Sequence, residues 1–293
     1  MLTIDPKNIS TAELQGYLQG AVAPRPIAFA STIDADGNPN LSPFSFFNVF
    51  SANPPILVFS PSRRVRDNTS KHTLQNVEKV KEVVINIVNF DMVQQMSLSS
   101  CEYPQGVSEF VKAGFTPIPS HSIKPFRVAE APVQFECKVN QIISLGNDGG
   151  AGNLVICEVL KIHINENVLD KNGTIDQNKI DLVSRMGGNW YSRAKEGLFE
   201  IPKPVSELGI GVDAIPKFIK KSKIFSGNDL GALANVSILP NSEEITTFVN
   251  NNIDVKTVLS TDDEMQIQQK AKDYLNKNMI SEAWKTLLAE RIK

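Results

Sequence analysis

Short apolar and β-branched runs, separated by clusters of turn residues, fill the chain up to about residue 200. Runs of this kind are typical of β-strands. Asp36-Gly37 follows the first run and predicts a hairpin turn, and residues 147–151 (NDGGA) predict a second hairpin with longer strands. The strands predicted in this way span residues 25–33, 41–47, 54–60, 82–88, 133–146 and 153–165.

Numerous strands, hairpin turns and few intervening helices favour a closed or nearly closed antiparallel barrel, because closure removes exposed sheet edges. Pro54 and Pro55 stand at the start of the third run, where a missing backbone N–H is tolerated. The predicted fold class is therefore mainly β (α+β), an antiparallel barrel with peripheral helices.

Apolar residues at helical spacing predict two helices among these strands. A short helix over 91–100 would be capped by Asp91. A longer helix over 66–80 would take its N-cap from one of three adjacent polar residues, Asp67, Asn68 or Thr69.

The pattern changes after about residue 200, where helical periodicity replaces the strand-like runs. Thr261 and Glu264 form a capping-box pattern at the start of one helix, and Ser281 is the predicted cap of the last helix. We therefore predict a barrel domain over 1–200 and a helical C-terminal extension over 201–293, packed on the barrel or on a partner subunit. The last helix carries an apolar stripe formed by Trp284, Leu287 and Leu288.

Charge and composition narrow the possible partners and location. Lysine and arginine total 30 against 32 acidic residues, so no global field favours nucleic acid or an anionic membrane. The start of the chain is too polar for a signal peptide, and no apolar run approaches the roughly 18 residues of a membrane-spanning helix. The three cysteines lack CxxC spacing and the three histidines form no metal-ligand pattern. We expect a cytoplasmic protein with reduced thiols and no metal.

Residues 60–70 (SPSRRVRDNTS) combine hydroxyl groups with three arginines between a predicted strand and a predicted helix. A helix N-terminus offers backbone N–H groups and the positive end of its dipole, which favours a phosphate. Ser60, Ser62, Asn68 and Thr69 would add neutral donors, and Arg63, Arg64 or Arg66 would give forked, charge-assisted contacts. In the alternative interpretation, the polar residues only cap the helix and the arginines are solvated.

Residues 42–51 (SPFSFFNVFS) concentrate phenylalanine beside serine and asparagine. In one strand, Phe46 and Asn48 would face away from Ser45 and Phe47 unless a bulge intervenes. One face would enter the core, and the other could lie against a planar heterocycle. Alternatively every phenylalanine belongs to the core, and spacing alone leaves both interpretations open.

These features together resemble the flavin reductase-like family, whose fold is the FMN-binding split barrel. The resemblance rests on the hairpin with its central Asp-Gly, the SPFSFF segment, the double proline before the third strand and the VVIN strand (83–86). It also rests on Arg66-Asp67-Asn68-Thr69, which departs from the usual Lys-Asp-Thr of the family by an inserted asparagine. The match is best over 20–90 and covers about two thirds of the chain.

The resemblance implies non-covalently bound FMN lying against residues 42–48. Backbone N–H groups near Ser45, Phe46 and Phe47 would meet the flavin N5 and O4, and Asn48 would reach the pyrimidine edge. The phosphate would be held by Ser60, Ser62, Arg66, Asn68 and Thr69. The resemblance also implies a homodimer in which residues 187–191 (GGNWY) approach the partner's flavin.

The function expected from this resemblance is FMN-dependent hydride transfer from NADH or NADPH to a flavin or another small-molecule acceptor. The flavin carries the chemistry, so no catalytic residue is assigned to the protein. The glycines of 145–153 lie between two predicted strands and do not form a dinucleotide-binding fingerprint, so NAD(P)H would bind only transiently. The main alternative is a flavoredoxin-like electron carrier reduced by a protein partner, and a weaker one is a barrel that has lost its flavin and serves as a binding module.

Overall fold

The computed structural model describes residues 1–201 and 208–289 of the 293-residue chain. The chain divides into two compact units, Met1–Phe199 and Glu200–Lys293. Strands occur in the first unit: β1 Ala28–Ile33, β2 Pro39–Phe44, β3 Phe47–Ala52, β4 Pro55–Phe59, β5 Glu82–Ile87, β6 Pro117–Ile118, β7 Arg127–Val128, β8 Val133–Ser144, β9 Asn153–Ile164, β10 Val183–Arg185 and β11 Tyr191–Arg193.

Seven of these strands form one antiparallel sheet in the order β2-β1-β5-β8-β9-β4-β3. Side chains from β1, β2, β4, β5, β8 and β9 contribute to a single buried cluster that includes Ala30, Phe44, Phe59, Ile85 and Val155. Strands from both ends of the sheet order therefore share one core, and the sheet curls around it. The predicted antiparallel barrel is confirmed, and its two edge strands, β2 and β3, are consecutive in the chain.

Five α-helices surround this sheet in the first unit: α1 Thr11–Ala21, α2 His72–Val80, α3 Val93–Leu98, α4 Glu109–Ala113 and α5 Gln177–Ile180. Leu74 and Val77 of α2 complete the barrel core. A second cluster on the outer face of β1 and β2 joins Phe29 and Leu41 to Met96 of α3 and Phe110 of α4. The sequence did not predict α1, which has no buried residue and contains two glycines. Short 3-10 turns occupy Pro6–Asn8, Phe90–Met92, Glu166–Val168 and Ala194–Gly197.

The prediction of a single strand over 41–47 is wrong. The chain bends at Ser45 and Phe46, between β2, which pairs with β1, and β3, which pairs with β4. Phe44 pairs with Ala28, the first residue of β1. Because the partner strand begins there, β2 has no further partner in that direction and the chain turns to the other edge of the barrel.

The predicted start of the longer helix is also wrong. Residues 65–67 form a turn, Asn68 has a φ of 56°, and α2 begins only at His72. A φ in the left-handed region is incompatible with a right-handed helix through Asn68, and the N-cap residue of α2 is Lys71, not Asp67, Asn68 or Thr69. The shorter helix begins at Val93 after a 3-10 turn that contains Asp91, which therefore does not cap it.

The second unit is helical. Its α-helices are α6 Lys217–Lys220, α7 Gly227–Ala234, α8 Ser242–Asn251, α9 Ile253–Leu259, α10 Glu264–Leu275 and α11 Ile280–Ala289, with a 3-10 turn at Val212–Ala214. Trp284 and Leu287 are buried as the apolar stripe predicts, and the Trp284 Nε1 donates to the Leu233 carbonyl at 2.9 Å. No helix in the described part of the chain is long and apolar enough to cross a membrane.

The predicted caps in this unit are wrong. Asp263 caps α10, whereas the Thr261 hydroxyl donates to the Val258 carbonyl in the last turn of α9. Ser281 lies inside α11. A short-range sequence pattern identified the helices but not which polar residue stands at each end.

Candidate functional site

The free edge of β2 borders a groove, which we call the β2 groove. β2 pairs only with β1, and the Leu41 N–H points away from β1 and donates to a carboxylate oxygen of Glu109 at 3.0 Å. Pro43 lies two residues further along the same edge, where its missing N–H removes no ladder hydrogen bond. The groove consists of a chamber of about 550 Å³ and two adjoining cavities of about 40 and 30 Å³.

Residues from distant parts of the first unit surround the chamber. Ser45 and Pro43 line it from the β2 side, and Arg185, Asn189 and Tyr191 line it from the β10–β11 hairpin. The remaining lining residues are Ile27, Gln94, Met96, Ser97 and Ser100. This volume falls within the range of ordinary small-molecule sites, and the mixed polar and apolar surface suits a planar ligand with polar edges.

The cavity of about 40 Å³ is a corner of the groove lined by charged residues of both signs. Arg64 and Lys71 line it together with His72, Ser42 of β2 and the carboxylates of Glu102 and Glu109. No side-chain hydrogen bond caps α2 at Lys71, and Lys71 and His72 place the start of this helix, with the positive end of its dipole, at the cavity. Burial and the neighbouring Arg64 lower the pKa of Lys71. We call Arg64, Lys71 and the N-terminus of α2 the anion cradle.

Glu102 already provides a carboxylate beside the anion cradle. It accepts from Arg66 Nη2 at 2.9 Å and from Arg64 Nε at 2.8 Å, and these two arginines lower its pKa. The Arg64 side chain is 19% exposed, compared with 72% for Arg66. Arg64 is therefore the more enclosed cation, and any phosphate bound here would share its guanidinium with Glu102 or displace that carboxylate.

Thr69 and Arg66, two of the predicted phosphate ligands, lie in the turn that precedes α2. The Thr69 hydroxyl donates to Asp67 Oδ1 at 2.6 Å and accepts from Arg64 Nη1 at 2.8 Å. Hydrogen bonds from the Thr69 hydroxyl and backbone N–H, followed by the contact with Arg66, lower the pKa of Asp67 to about 2. Asp67 is thus an anion fixed within the turn, and the Thr69 hydroxyl connects it to Arg64.

Asn68 holds this turn in place with both ends of its amide. Oδ1 accepts from Arg63 Nε at 2.6 Å, and Nδ2 donates to the carbonyl of Asn147 at 3.0 Å. The residue inserted into the family pattern thus ties the turn to the β8–β9 loop. Gly149 in that loop would place a Cβ 3.0 Å from the Arg64 carbonyl oxygen, so the close approach of the two backbones requires glycine there.

Phe46, Ser60 and Ser62 lie together in a separate cavity of about 360 Å³ beneath α1. The Ser60 hydroxyl accepts from the Asn153 N–H at 3.1 Å. The Ser62 hydroxyl is buried and has no hydrogen-bond partner among the described residues. The structure therefore groups these three predicted residues with one another and Ser45 with the chamber.

The two remaining predicted residues differ in exposure. Phe47 is half-buried and packs on the barrel core. Asn48 is exposed, and its side-chain oxygen accepts from the N–H of Val49 at 2.8 Å. Contacts of these residues with a flavin ring stay predictions.

Sequence reasoning missed Lys71 and Arg185. Lys71-His72-Thr73 has lysine first and threonine third, the spacing of Lys-Asp-Thr without an insertion, and it stands at the real start of α2. This spacing could have located the anion cradle. The Thr73 hydroxyl is buried and has no hydrogen-bond partner in the described ranges.

Arg185 is held at the chamber by its backbone and by an aromatic ring. The Arg185 backbone N–H donates to the Arg25 carbonyl, and the Arg25 backbone N–H donates to the Arg185 carbonyl, each at 2.9 Å. Its guanidinium lies 4.6 Å from the centroid of the Tyr191 ring, and Nη2 donates to the Gly188 carbonyl at 2.8 Å. No sequence signal distinguished this arginine, because its partners come from β10–β11 and from the segment before β1.

Comparison with known proteins agrees with this architecture. The structure of nitrilotriacetate monooxygenase component B from Bacillus cereus matches with a TM-score of 0.64 and 31% sequence identity, and the matched region covers 69% of this chain and 98% of that protein's chain. The structure of the 2-nitrobenzoate 2-nitroreductase NbaA from Pseudomonas fluorescens matches with a TM-score of 0.63 and 25% sequence identity, and the matched region covers 72% of this chain and 100% of that protein's chain. An uncharacterized protein of Aquifex aeolicus is 40% identical over 175 residues, which are 60% of this chain and 87% of that protein.

The barrel with an open groove along one edge strand defines a split-barrel protein. The model of the flavin reductase like domain matches residues 21–180, more than half of the chain. The chain therefore belongs to the flavin reductase-like family, as the sequence resemblance predicted. Arg185, Tyr191 and the whole helical unit lie beyond the matched residues.

Proposed function

We propose that this chain is an FMN-dependent oxidoreductase that takes hydride from NADH or NADPH and reduces a flavin or another small-molecule acceptor. The observation that carries the proposal is the β2 groove, which joins the anion cradle to a chamber of about 550 Å³. A phosphate-bearing planar cofactor has one charged end and one polar-edged aromatic end, and the groove offers a region suited to each.

The protein's own groups would bind and orient the cofactor. Arg64 and Lys71 supply charge for the phosphate, and the N-terminus of α2 supplies backbone donors. Ser45 supplies a neutral polar group at the chamber, and the apolar surfaces of Ile27 and Met96 exclude water from part of the wall. Bound FMN would supply the hydride and electron chemistry, so the protein's work is binding and orientation.

The test is an anaerobic titration of the purified protein, loaded with FMN where needed. We expect a yellow protein whose visible flavin absorbance falls on addition of NADH or NADPH. Loss of colour with dithionite alone would favour the electron carrier reduced by a protein partner. A colourless protein that takes up no FMN would leave only the binding module.

We also propose that the chain forms a homodimer. Leu160, Ile162 and Ile164 of β9 are 46%, 51% and 40% exposed. Val49 and Phe50 of β3 are more exposed still. Exposed apolar side chains in such number are usually covered by another protein surface.

Sedimentation velocity at micromolar concentration should therefore give a mass close to twice 32.3 kDa. Ile162→Lys replaces one of these exposed apolar side chains of β9 by a charge and should shift the population towards monomer. Lys138→Glu, on the exposed face of the adjacent β8, serves as a control for the change of a surface side chain. A monomeric wild type that retains FMN would rule out the homodimer.

A further inference from the structure

The chamber of the β2 groove has a single kind of charge. Among its described lining residues Arg185 alone is ionised, and the others are neutral polar or apolar side chains. No described carboxylate lies within ion-pair distance of Arg185. The positive charge at this wall is therefore not balanced by the protein.

Arg185 is fixed in position. Its backbone is paired with Arg25, its guanidinium lies over the Tyr191 ring, and one of its nitrogens is held by the Gly188 carbonyl. A guanidinium carries five N–H donors in one plane. The single bond to Gly188 leaves a pair of parallel donors for a ligand, without the entropy cost of ordering a flexible side chain.

Arg25 reinforces the positive potential at this wall. Arg25 is buried, and its Nη2 donates to the Met186 carbonyl at 2.9 Å, directly beside Arg185 in the chain. Burial and the charge of Arg185 lower the pKa of Arg25. Two neighbouring guanidinium groups with no acid between them favour an anion over a neutral ligand.

The form of the remaining surface selects the kind of anion. Planar parallel donors match the two oxygens of a carboxylate. The Tyr191 ring provides apolar area for a flat hydrocarbon body. Ser97 and Asn189 provide neutral hydrogen-bonding groups around it.

We propose that the chamber binds an aromatic carboxylate that carries a reducible substituent, the acceptor class of this enzyme, through a forked contact with Arg185. The carboxylate only anchors the molecule, and the substituent would take up the hydride that bound FMN supplies together with a proton from solvent. This inference rests on the proposed function, because it names the acceptor for the same groove. It goes beyond that function in assigning Arg185 and Tyr191, which lie outside the residues matched by the family model, as the residues that determine acceptor specificity.

The experiment compares benzoate with benzamide, which has nearly the same shape and no charge. Both are titrated by calorimetry into the protein as purified, with its FMN content measured separately. We expect benzoate to bind about ten- to a hundredfold more tightly than benzamide. Arg185→Gln should remove that preference, and Arg185→Lys should retain only part of it, because it keeps the charge but loses the fork. Lys171→Gln, which removes one positive charge from an exposed turn, should leave it unchanged.

Equal affinity for benzoate and benzamide, or a preference that persists in folded Arg185→Gln, would overturn the assignment. Inorganic phosphate is a third probe. If the protein binds phosphate tightly through Arg185 and does not bind benzoate, the ligand of the chamber carries a phosphate and the assignment of a carboxylate is wrong. A failure of this inference can be distinguished from a failure of the proposed function. Loss of the benzoate preference in an Arg185→Gln variant that still binds FMN and is still reduced by NAD(P)H supports the inference. A wild type that never reduces FMN would reject the proposed function, whereas the benzoate titration would still report on Arg185.

Discussion

Arg64→Ala is expected to weaken FMN binding about ten- to a hundredfold while leaving riboflavin affinity nearly unchanged. The two flavins share a ring system and differ in the phosphate. Arg64 is the enclosed arginine of the anion cradle, next to Lys71 and the uncapped start of α2. Arg66→Ala should show the same selectivity with a smaller loss, because Arg66 is 72% exposed and its charge is screened by solvent.

Glu102→Gln is a matched variant that should change FMN affinity in the opposite direction. Glu102 places a carboxylate on both arginines, so its neutralisation should tighten FMN several-fold, with no gain for riboflavin. Glu78→Gln, on the exposed face of α2, removes an equal charge away from the cradle and should change neither affinity.

Flavin fluorescence quenching with both ligands measures all four variants. Equal losses for FMN and riboflavin in Arg64→Ala would mean that the residue acts through the fold of the turn, where it also holds Thr69 and the Ser70 carbonyl. An unchanged FMN affinity in Arg64→Ala would place the phosphate elsewhere, with the cavity of Ser60 and Ser62 as the next candidate.

The strands of the barrel were predictable because their signals are local. Apolar runs set the strands, and turn residues such as Asp36-Gly37 set the hairpins between them. The split of 41–47 was not predictable from the run itself. It depends on where β1 begins, and Ala28 is the last partner available to β2 in that direction.

The anion cradle lies next to the segment in which the sequence predicts a phosphate site, but the helix does not begin where the sequence predicts. Asp67, Asn68 and Thr69 are good N-cap residues by type, and nothing local opposes a helix there. Asn68 instead takes a left-handed conformation and bonds to Asn147, which is far away in the chain. This contact, together with the close approach of Gly149 to Arg64, shifts the helix start to His72.

The residues around the chamber were even harder to predict from local sequence patterns. Ser45 was predicted from the resemblance, but the arginine opposite it comes from a short hairpin whose position depends on the backbone pairing of Arg25 with Arg185. Pairings between segments so far apart leave no periodicity in the sequence.

Trp284→Ala is expected to destabilise the helical unit by about 3–5 kcal/mol, because Phe or Trp truncation in a core removes packing and leaves a cavity. Trp284 is fully buried in a cluster with Ile219, Leu233 and Leu287. Its loss also leaves the Leu233 carbonyl without the indole donor. A domain of this size is typically stable by about 5–15 kcal/mol, so its unfolding temperature should fall by at least about 12 °C.

Differential scanning calorimetry, with FMN content measured on the same samples, checks this expectation. Ile238→Ala is the matched control, because Ile238 belongs to the same unit and is 82% exposed, so its truncation should cost little. Every candidate cofactor-binding residue lies in the first unit. Trp284→Ala should therefore lower the midpoint temperature of one calorimetric transition and leave FMN affinity unchanged. If FMN is lost together with the helical unit while the barrel stays folded, the groove described above is incomplete and the extension belongs to the flavin site.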